Sequence, residues 1–312
     1  MLSVCIPTYR FFVLAYLPQA DRQVLTEDFS STPVFGQLQN LYAQLKSSGI
    51  EFELLVYEDA SPEPYPSQNK RVTELGPEVE YRLLDSNLGR AAIRNLLARE
   101  AKFPNLLFLD ADSGFLDGFV AGYLPYIDSE LKKVVSGGRV YPAKERLAPQ
   151  FWLHQRYGQD REKLDVNASG DKCYMGFQTN NFLVPRSLML RHPFEESHAG
   201  YGHEDTLWGW QLRDLGVAVE RIDNPVIHLD LMPAEVLVQK QLEAVDNLKK
   251  LEAIYPNLPT RLGGFALRWR WAKWLLIPVL SVIEPIARRR LLKDRDASIY
   301  WLDLLKLRRY WK

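Results

Sequence analysis

Residues 106–112 read Leu-Leu-Phe-Leu-Asp-Ala-Asp, an apolar run that ends in two carboxylates. Four apolar residues followed by a polar turn are typical of a buried β-strand. Asp110 and Asp112 would then lie at the carboxyl end of that strand. Two carboxylates at this spacing can share a divalent cation, which prefers oxygen ligands and can bridge to phosphate groups. A DxD triplet is also common in solvated turns, so its position after an apolar strand is what favours a binding site.

Outside this segment, apolar runs of strand length alternate with apolar stripes of helical spacing. Strands are predicted at residues 2–6, 52–57 and 79–84, and helices around residues 38–45, 93–101 and 120–131. This alternation predicts an α/β fold with a mainly parallel sheet flanked by helices. Ligands of such sheets bind beyond the carboxyl ends of the strands. Because Thr8, Asp59 and Asp110 all follow predicted strands, we expect them to share one site.

The composition is that of a globular protein with an uneven charge distribution. The 39 basic residues balance 39 acidic residues, which argues against a nucleic-acid-binding protein and against a disordered chain. Cys5 and Cys173 have no CxxC spacing, which favours a reducing compartment. The apolar run at residues 274–283 is too short to cross a bilayer. Residues 262–312 carry 12 Lys and Arg against 4 Asp and Glu, with five of the eight Trp, so a boundary is predicted near residues 256–264.

Five segments of the chain, taken in order, resemble family 2 glycosyltransferases of the GT-A fold. They are SVCIPTY (3–9), VYEDAS (56–61), NLGRAAIRN (87–95), FLDADS (108–113) and TNNFLVPRSLMLRHPFEESHAGYGHEDTLWGWQLRDLG (179–216). The resemblance covers roughly residues 1–230 and implies inverting transfer of a sugar from a nucleotide-diphosphate donor. It implies a nucleotide-sugar-binding half at residues 1–112 and an acceptor-binding half at residues 113–258. A basic, Trp-rich helical extension at residues 259–312 would complete the molecule.

On the donor side, the resemblance assigns a nucleotide pocket to five residues. Pro7, Thr8 and Tyr9 would line it, and Asp59 would accept a hydrogen bond from the imide N–H of uracil, which makes the donor a UDP-sugar. Arg94 would contact the nucleotide from the following helix. Two other interpretations stay open, since Asp59 is also a suitable cap for a turn and Arg94 could be an ordinary exposed helix residue.

The resemblance also implies a bound Mn²⁺ or Mg²⁺. Asp112 would bind this cation, and Asp110 would hold either the cation or the ribose. His228 follows the apolar run at residues 225–227 and would be a further metal ligand. A lone His after a strand is also a common core residue, and His203 is a second candidate ligand.

On the acceptor side, the resemblance assigns the general base to Asp205. This carboxylate would take the proton from the acceptor hydroxyl during attack on the anomeric carbon. Glu204 would hold another acceptor hydroxyl. Trp208 and Trp210 are placed to stack on the acceptor sugar, with the alternative that one of the two packs in the core. A purely structural interpretation exists for both acids, because carboxylates are stabilised at a helix N-terminus.

The sequence departs from the family pattern near the first strand. Residues 10–37 form a longer link than usual, and Arg10 stands where many relatives carry Asn. Residues 139–172 lack regular patterning and are predicted to lie near the mouth of the site. One alternative function is a sugar nucleotidyltransferase, which would need a Gly-rich loop that PTYRFF (7–12) lacks. A non-catalytic carbohydrate-binding or membrane scaffold is the other alternative.

The basic, Trp-rich extension predicts an association with a membrane surface. Trp rings prefer the bilayer interface, and Lys and Arg attract anionic headgroups. Such a peripheral protein would sit on the cytoplasmic face and act on a saccharide or a lipid-linked saccharide, as in bacterial surface-polysaccharide synthesis. In the alternative interpretation, the extension packs on the catalytic domain or forms a homodimer interface.

Overall fold

The computed structural model describes residues 1–10, 34–128, 130–196, 202–256, 258, 260–294 and 296–312. Strands β1–β10 span Leu2–Thr8, Phe52–Glu58, Val79–Leu83, Asn105–Leu109, Ser113–Gly114, Val134–Ser136, Arg139–Val140, Asn181–Pro185, Val219–Arg221 and Val226–His228. Helices α1–α11 span Val34–Ser47, Tyr65–Asn69, Arg90–Glu100, Phe119–Tyr123, Trp152–Tyr157, Arg186–Arg191, Glu204–Asp214, Ala234–Ile254, Arg261–Arg268, Lys273–Lys293 and Tyr300–Trp311.

A seven-stranded sheet forms the centre of the molecule, with the order β3-β2-β1-β4-β8-β6-β9. Strands β3, β2, β1 and β4 are parallel, and β6 pairs in parallel with β9. Among the described strands of this sheet, β8 runs against its neighbours β4 and β6. The predicted α/β fold with a mainly parallel sheet is confirmed, and so are the four strands expected before Asp110.

Apolar layers cover both faces of this sheet. One layer contains Leu38, Leu41 and Leu45 of α1, the stripe that predicted this helix. The other contains Ile93 and Leu97 of α3 together with residues of α6 and α7. Because helices cover both faces of the sheet, a ligand can bind only at its edge, beyond the carboxyl ends of the parallel strands.

The predicted helix around residues 120–131 is shorter than its apolar spacing indicated. Helix α4 ends at Tyr123, a 3₁₀ turn follows at Leu124–Tyr126, and Ile127 has left helical geometry. Leu124, Ile127 and Leu131 still pack on the core. The same apolar side chains are therefore buried, although the backbone here is not α-helical. Pro125 lies in the 3₁₀ turn and cannot donate the backbone hydrogen bond that a continued α-helix needs. The long link predicted before α1 falls mostly outside the described residues.

A second, three-stranded sheet has the order β5-β10-β7. Strand β10 pairs antiparallel with β5, which places His228 opposite Ser113. On its other side, β10 pairs in parallel with β7. This small sheet therefore brings the segment directly after Asp112 next to His228, which lies more than 100 residues further along the chain.

The C-terminal helices pack on the rest of the chain. Leu291 of α10 and Leu302 of α11 share an apolar cluster with Leu237 of α8 and Leu153 of α5. The bidentate contact of Arg309 with Asp246, at 2.8 and 2.5 Å, adds an ion pair between α11 and α8. No helix in the described part of the chain is both long enough and apolar enough to traverse a bilayer.

Candidate active site

Asp112 and His228 meet next to the small sheet. The imidazole Nδ1 of His228 lies 3.1 Å from Oδ2 of Asp112. The Leu229 backbone N–H donates to the Asp112 carbonyl at 2.9 Å, and the pairing of His228 with Ser113 fixes the register. Burial acts to raise the pKa of Asp112, but His228, Arg139 and Arg90 hold this pKa below its ordinary value. The carboxylate is therefore ionised at neutral pH.

The other carboxylate of the DxD triplet has a different partner. Arg94 of α3 donates from Nη2 to Oδ1 of Asp110 at 2.7 Å, and only 6% of the Arg94 side chain is exposed. The interpretation of Arg94 as an exposed helix residue is therefore wrong. Within the described residues, the buried Nε of Arg94 and both amide atoms of Asn180 have no hydrogen-bond partner. Asn180 lies beside Asp110, since its carbonyl accepts from the Asp110 N–H at 3.0 Å. A bound polar ligand would supply hydrogen-bond partners for these buried atoms.

Four polar residues that the sequence analysis did not single out as site residues surround His228. The rings of Tyr141 and His154 lie edge-on to His228, with centroids 5.4 and 5.3 Å away. His154 accepts the Met232 N–H on Nδ1 at 2.7 Å, and burial followed by the charge of His228 lowers the pKa of His154 to about 3. His154 is therefore neutral, with its orientation fixed by the backbone.

Arg139 and Glu162 are the other two polar residues next to His228. Nη2 of Arg139 donates to Glu162 at 2.6 Å, and the Tyr141 hydroxyl donates to the same carboxylate. Arg139, Tyr141, His154 and Glu162 thus form a polar layer beside the Asp112–His228 pair, within a segment that contains exposed residues and short 3₁₀ turns. The aromatic and basic composition of residues 139–172 was a signal of this layer, but it did not identify individual residues.

On the donor side, Asp59 anchors the loop before α3. Its Oδ1 accepts from the Leu88 N–H at 2.7 Å and its Oδ2 from the Gly89 N–H at 2.9 Å. The structure therefore differs from the predicted local cap before Ser61 and Pro62, because Asp59 binds backbone N–H groups 29 and 30 residues further along the chain. Each carboxylate oxygen has a second lone pair, so an additional donor such as an imide N–H remains compatible with these bonds.

The ends of β1 and β2 lie side by side around this anchor. Thr8 is buried, whereas Tyr9 is 46% exposed and sits below the Arg10 guanidinium, which lies 5.2 Å from the ring centroid. Pro7 is half-buried within β1. The fully buried Glu58 accepts hydrogen bonds from Ser61 and Asn69, which makes it a structural support of this loop.

The N-terminus of α7 presents Glu204 and Asp205. Burial first, and then repulsion from Glu204, raise the pKa of Asp205 to about 7, although the Thr206 N–H donates to its Oδ1 at 2.7 Å. Glu204 lies 3.5 Å from Nη1 of Arg90, the first residue of α3. Arg94 and Arg139 also act electrostatically on Asp205. The structure therefore brings Asp205 into the same charged site as Asp110 and Asp112.

His203 precedes these acids and does not join the Asp112–His228 pair. It adopts a left-handed backbone conformation with a φ of 73° as the residue before α7. Burial, with Lys306 as a further cause, lowers the pKa of His203 to about 4. Its hydrogen bond to the Ala244 backbone places it against α8, and the charge of Lys306 in α11 acts on it electrostatically.

The prediction that Trp208 stacks on the acceptor is wrong. Its side chain is 1% exposed, packs on Phe194 at 4.7 Å between ring centroids and donates from Nε1 to the His192 carbonyl at 3.0 Å. Trp210 packs in a cluster with Leu248 of α8, and the Arg213 guanidinium lies 3.3 Å from its ring centroid. Because an α-helix turns about 100° per residue, Trp210 also lies on a different side of α7 from Asp205.

The chemistry of the Asp112–His228 pair fits a divalent cation. A carboxylate oxygen and an imidazole nitrogen converge there at 3.1 Å, and both are atom types that bind a divalent cation. In the described part of the chain, no three His, Cys, Asp or Glu side chains are arranged to bind a metal together. Two protein ligands suit Mg²⁺ or Mn²⁺ when water and a diphosphate supply the other positions.

Residues 32–195 match the family model Glycosyl transferase family 2. The match includes Asp59, Arg94, Asp110 and Asp112, and it covers more than half of the 312 residues. It favours a glycosyltransferase over the sugar nucleotidyltransferase and over the non-catalytic scaffold. The match ends before Asp205 and His228, so their roles depend on geometry. No curated protein matches the chain significantly.

Among solved structures, the mannosyltransferase PcManGT from Pyrobaculum calidifontis, in complex with GDP-Man and Mn²⁺, is similar with a TM-score of 0.53. The identity is 16% over 80% of this chain, and the chain spans only 63% of PcManGT. The structure of S. aureus TarS residues 1–349 is also similar, with 15% identity and a TM-score of 0.48. The similarity covers 98% of this chain and 89% of the TarS chain. PcManGT shares the GT-A fold with this chain, and at this identity the likeness extends to the fold alone.

Proposed function

The chain belongs to glycosyl transferase family 2, and from this membership we propose a metal-dependent inverting transfer of a sugar from a UDP-sugar to a glycan or lipid-linked acceptor. The observation that carries the proposal is the carboxylate of Asp205, whose pKa of about 7 suits a general base. It shares a charged site with Asp110, Asp112 and His228. We place the reaction in bacterial surface-polysaccharide or glycoconjugate synthesis.

In the proposed reaction, the acceptor hydroxyl oxygen attacks the anomeric carbon of the donor sugar. As the new C–O bond forms, the hydroxyl proton passes to Asp205, and the bond between the anomeric carbon and the diphosphate breaks with both electrons on the phosphate oxygen. Attack from the side opposite the leaving group inverts the anomeric carbon. Glu204 would hold a second acceptor hydroxyl beside the base.

The leaving diphosphate needs compensation for its growing negative charge. Asp112 and His228 would hold a divalent cation, which supplies this compensation when bound. Arg94 keeps Asp110 in place from the donor side, and its partnerless Nε is a further donor for a phosphate or ribose oxygen. Arg90 brings an additional positive charge close to Asp112.

The choice of UDP depends on Asp59. Its backbone hydrogen bonds fix both carboxylate oxygens next to the polar ends of β1 and β2. A fixed acceptor of this kind suits the imide N–H of uracil. PcManGT holds GDP-Man on the same fold, so the fold by itself does not select the nucleotide.

A panel of UDP-sugars tests this proposal through Mn²⁺-dependent release of UDP. Slow hydrolysis of the correct donor needs no acceptor, and the matching GDP-sugars serve as controls. Once an acceptor is found, NMR of the product gives the anomeric configuration, and an α-linked donor should yield a β-linked product. Retention of configuration would remove the base role of Asp205.

A further inference from the structure

Helices α9 and α10, with the 3₁₀ turn Arg270–Ala272 between them, expose a broad apolar surface. Trp271 is 73% exposed and Trp274 is 81% exposed. The α9–α10 face consists of these two residues and of Leu267, Leu275, Val282 and Ile286. Single exposed apolar residues are ordinary in soluble proteins, but six large ones within 20 residues, two of them Trp, mark an interaction surface.

The α9–α10 face lies on the side of α10 that points away from the protein core. Leu275, Val282 and Ile286 follow one another at helical spacing on the exposed side. Leu280 and Ala287 lie on the opposite side and are buried in the clusters shared with α11 and α8. One apolar side of α10 is therefore buried in the protein core, whereas the other apolar side is exposed to solvent.

Basic residues surround this face. Residues 261–293 contain eight Lys and Arg but one acid, Glu284, which forms ion pairs with Arg288 and Arg308. Arg268, Arg270 and Lys273 alternate with the Trp residues at one end of the face, and three more cations follow Arg288 at the other end. Trp rings among Lys and Arg are the composition that suits a bilayer interface.

We propose that the α9–α10 face docks on an anionic lipid bilayer, with its apolar side chains among the acyl chains and its cations at the headgroups. Charge decides against a second copy of this chain as the partner, because self-association would bring two strongly basic surfaces together. The helices lie on the bilayer, since none of those described can span it. The proposal is independent of the proposed reaction, because docking needs neither donor nor acceptor.

The test is co-sedimentation of the full-length protein with phosphatidylcholine vesicles that contain or lack phosphatidylglycerol. Truncation is unsuitable, because α10 and α11 cover apolar residues of α8. The double variant Trp271→Ser/Trp274→Ser removes exposed rings only, so its melting temperature should stay unchanged. We expect it to bind anionic vesicles at least about tenfold more weakly.

Two further variants separate charge from apolar insertion. Arg268→Gln/Arg270→Gln should weaken binding to anionic vesicles by about fivefold per cation, with a reduced dependence on salt. The matched control Leu190→Ser/Leu215→Ser changes two exposed apolar residues of the catalytic domain and should bind like wild type. Equal binding by the wild type and the Trp variant, or no binding by either, would overturn the proposal. A concentration-dependent dimer that the Trp substitutions abolish would also overturn it.

Discussion

Nη2 of Arg94 lies 2.7 Å from the carboxylate of Asp110. This contact makes the two acids of the DxD triplet chemically different, because Asp112 faces His228 instead. Asp110 is held by the guanidinium of Arg94, whereas the carboxylate of Asp112 and the imidazole of His228 offer an oxygen and a nitrogen ligand to a metal ion. We therefore expect the two acids to fail in different ways when they are changed.

Asp112→Asn should lower Mn²⁺-dependent UDP affinity by more than about tenfold and leave the melting temperature nearly unchanged. Asp110→Asn should lower the stability by roughly 1–3 kcal/mol, because the buried Arg94 guanidinium loses its charged partner. Calorimetric titration with UDP and Mn²⁺, together with thermal unfolding, measures both effects. Equal behaviour of the two variants in both measurements would contradict the division between them.

Asp205→Asn should reduce transfer by about 10²–10⁴-fold, the range for loss of a general base. It should retain Mn²⁺-dependent UDP binding, since Asp205 is assigned to the acceptor. Asp214→Asn, at the exposed C-terminal end of α7, is the matched control and should keep full activity. Near-normal turnover by Asp205→Asn would falsify the base assignment.

The pH profile of transfer should rise with pH through about 7, because Asp205 must be deprotonated to accept a proton. The ascending limb should be absent from the residual activity of Asp205→Asn. Rate measurements between pH 5 and pH 9 with saturating donor provide the check. A rate that stays flat between pH 6 and pH 8 in the wild type is the result that would exclude this assignment.

Asp205→Asn should also stabilise the protein at alkaline pH. The folded-state pKa of about 7 lies above the ordinary value of 3.8, so the folded state binds this proton more tightly than the unfolded state. The stability from this proton is complete below about pH 4 and is lost as the pH rises through about 7. The variant should therefore be more stable than wild type by roughly 0.5–2 kcal/mol at pH 8, with no difference at pH 4. Urea unfolding at both pH values tests this.

UDP should bind more tightly than GDP in the presence of Mn²⁺, because Asp59 offers a fixed acceptor to an imide N–H. The nucleotide dTDP carries the same imide and should bind better than GDP, which separates base recognition from recognition of the ribose. Isothermal titration with the three nucleotides measures the preference. Tighter binding of GDP would remove the role of Asp59 in base selection.

Trp208→Ala should destabilise the protein by about 3–5 kcal/mol, because this side chain is fully buried among aromatic rings. The milder Trp208→Phe should leave the KM for the acceptor unchanged. Urea unfolding and acceptor kinetics give the two readings. A raised KM for the acceptor in a stable Trp208→Phe protein would return Trp208 to the acceptor site.

The sequence was sufficient where a feature depends on neighbouring residues along the chain. The four parallel strands were predictable because each is a short apolar run that ends in a polar turn. Asp110 and Asp112 directly follow one of these strands, so their place at the carboxyl edge of the sheet could be predicted as well. By contrast, Asp59 binds the backbone N–H groups of Leu88 and Gly89 in a distant loop instead of capping the local turn that the sequence suggested.

Features that depend on contacts between distant segments were beyond the sequence. Tyr141 and His154 reach His228 only through the pairing of β7 with β10 and the packing of the segment around α5. Trp208 has the helical spacing of either a core residue or a ligand-stacking residue, and burial by Phe194 decides between them. In α10, the sequence shows a short apolar run flanked by basic residues, and only the packing distinguishes its buried side from its exposed side.

The pairing of β5 with β10 also has a consequence for the newly synthesised protein. Translation delivers Asp112 well before His228, and the two meet only when β10 has left the ribosome and added to the small sheet. A chain released before Val226 carries both carboxylates of the DxD triplet but lacks the imidazole. Prematurely terminated products therefore lack the Asp112–His228 pair. The nascent protein contains both residues only when its catalytic domain is almost fully synthesised.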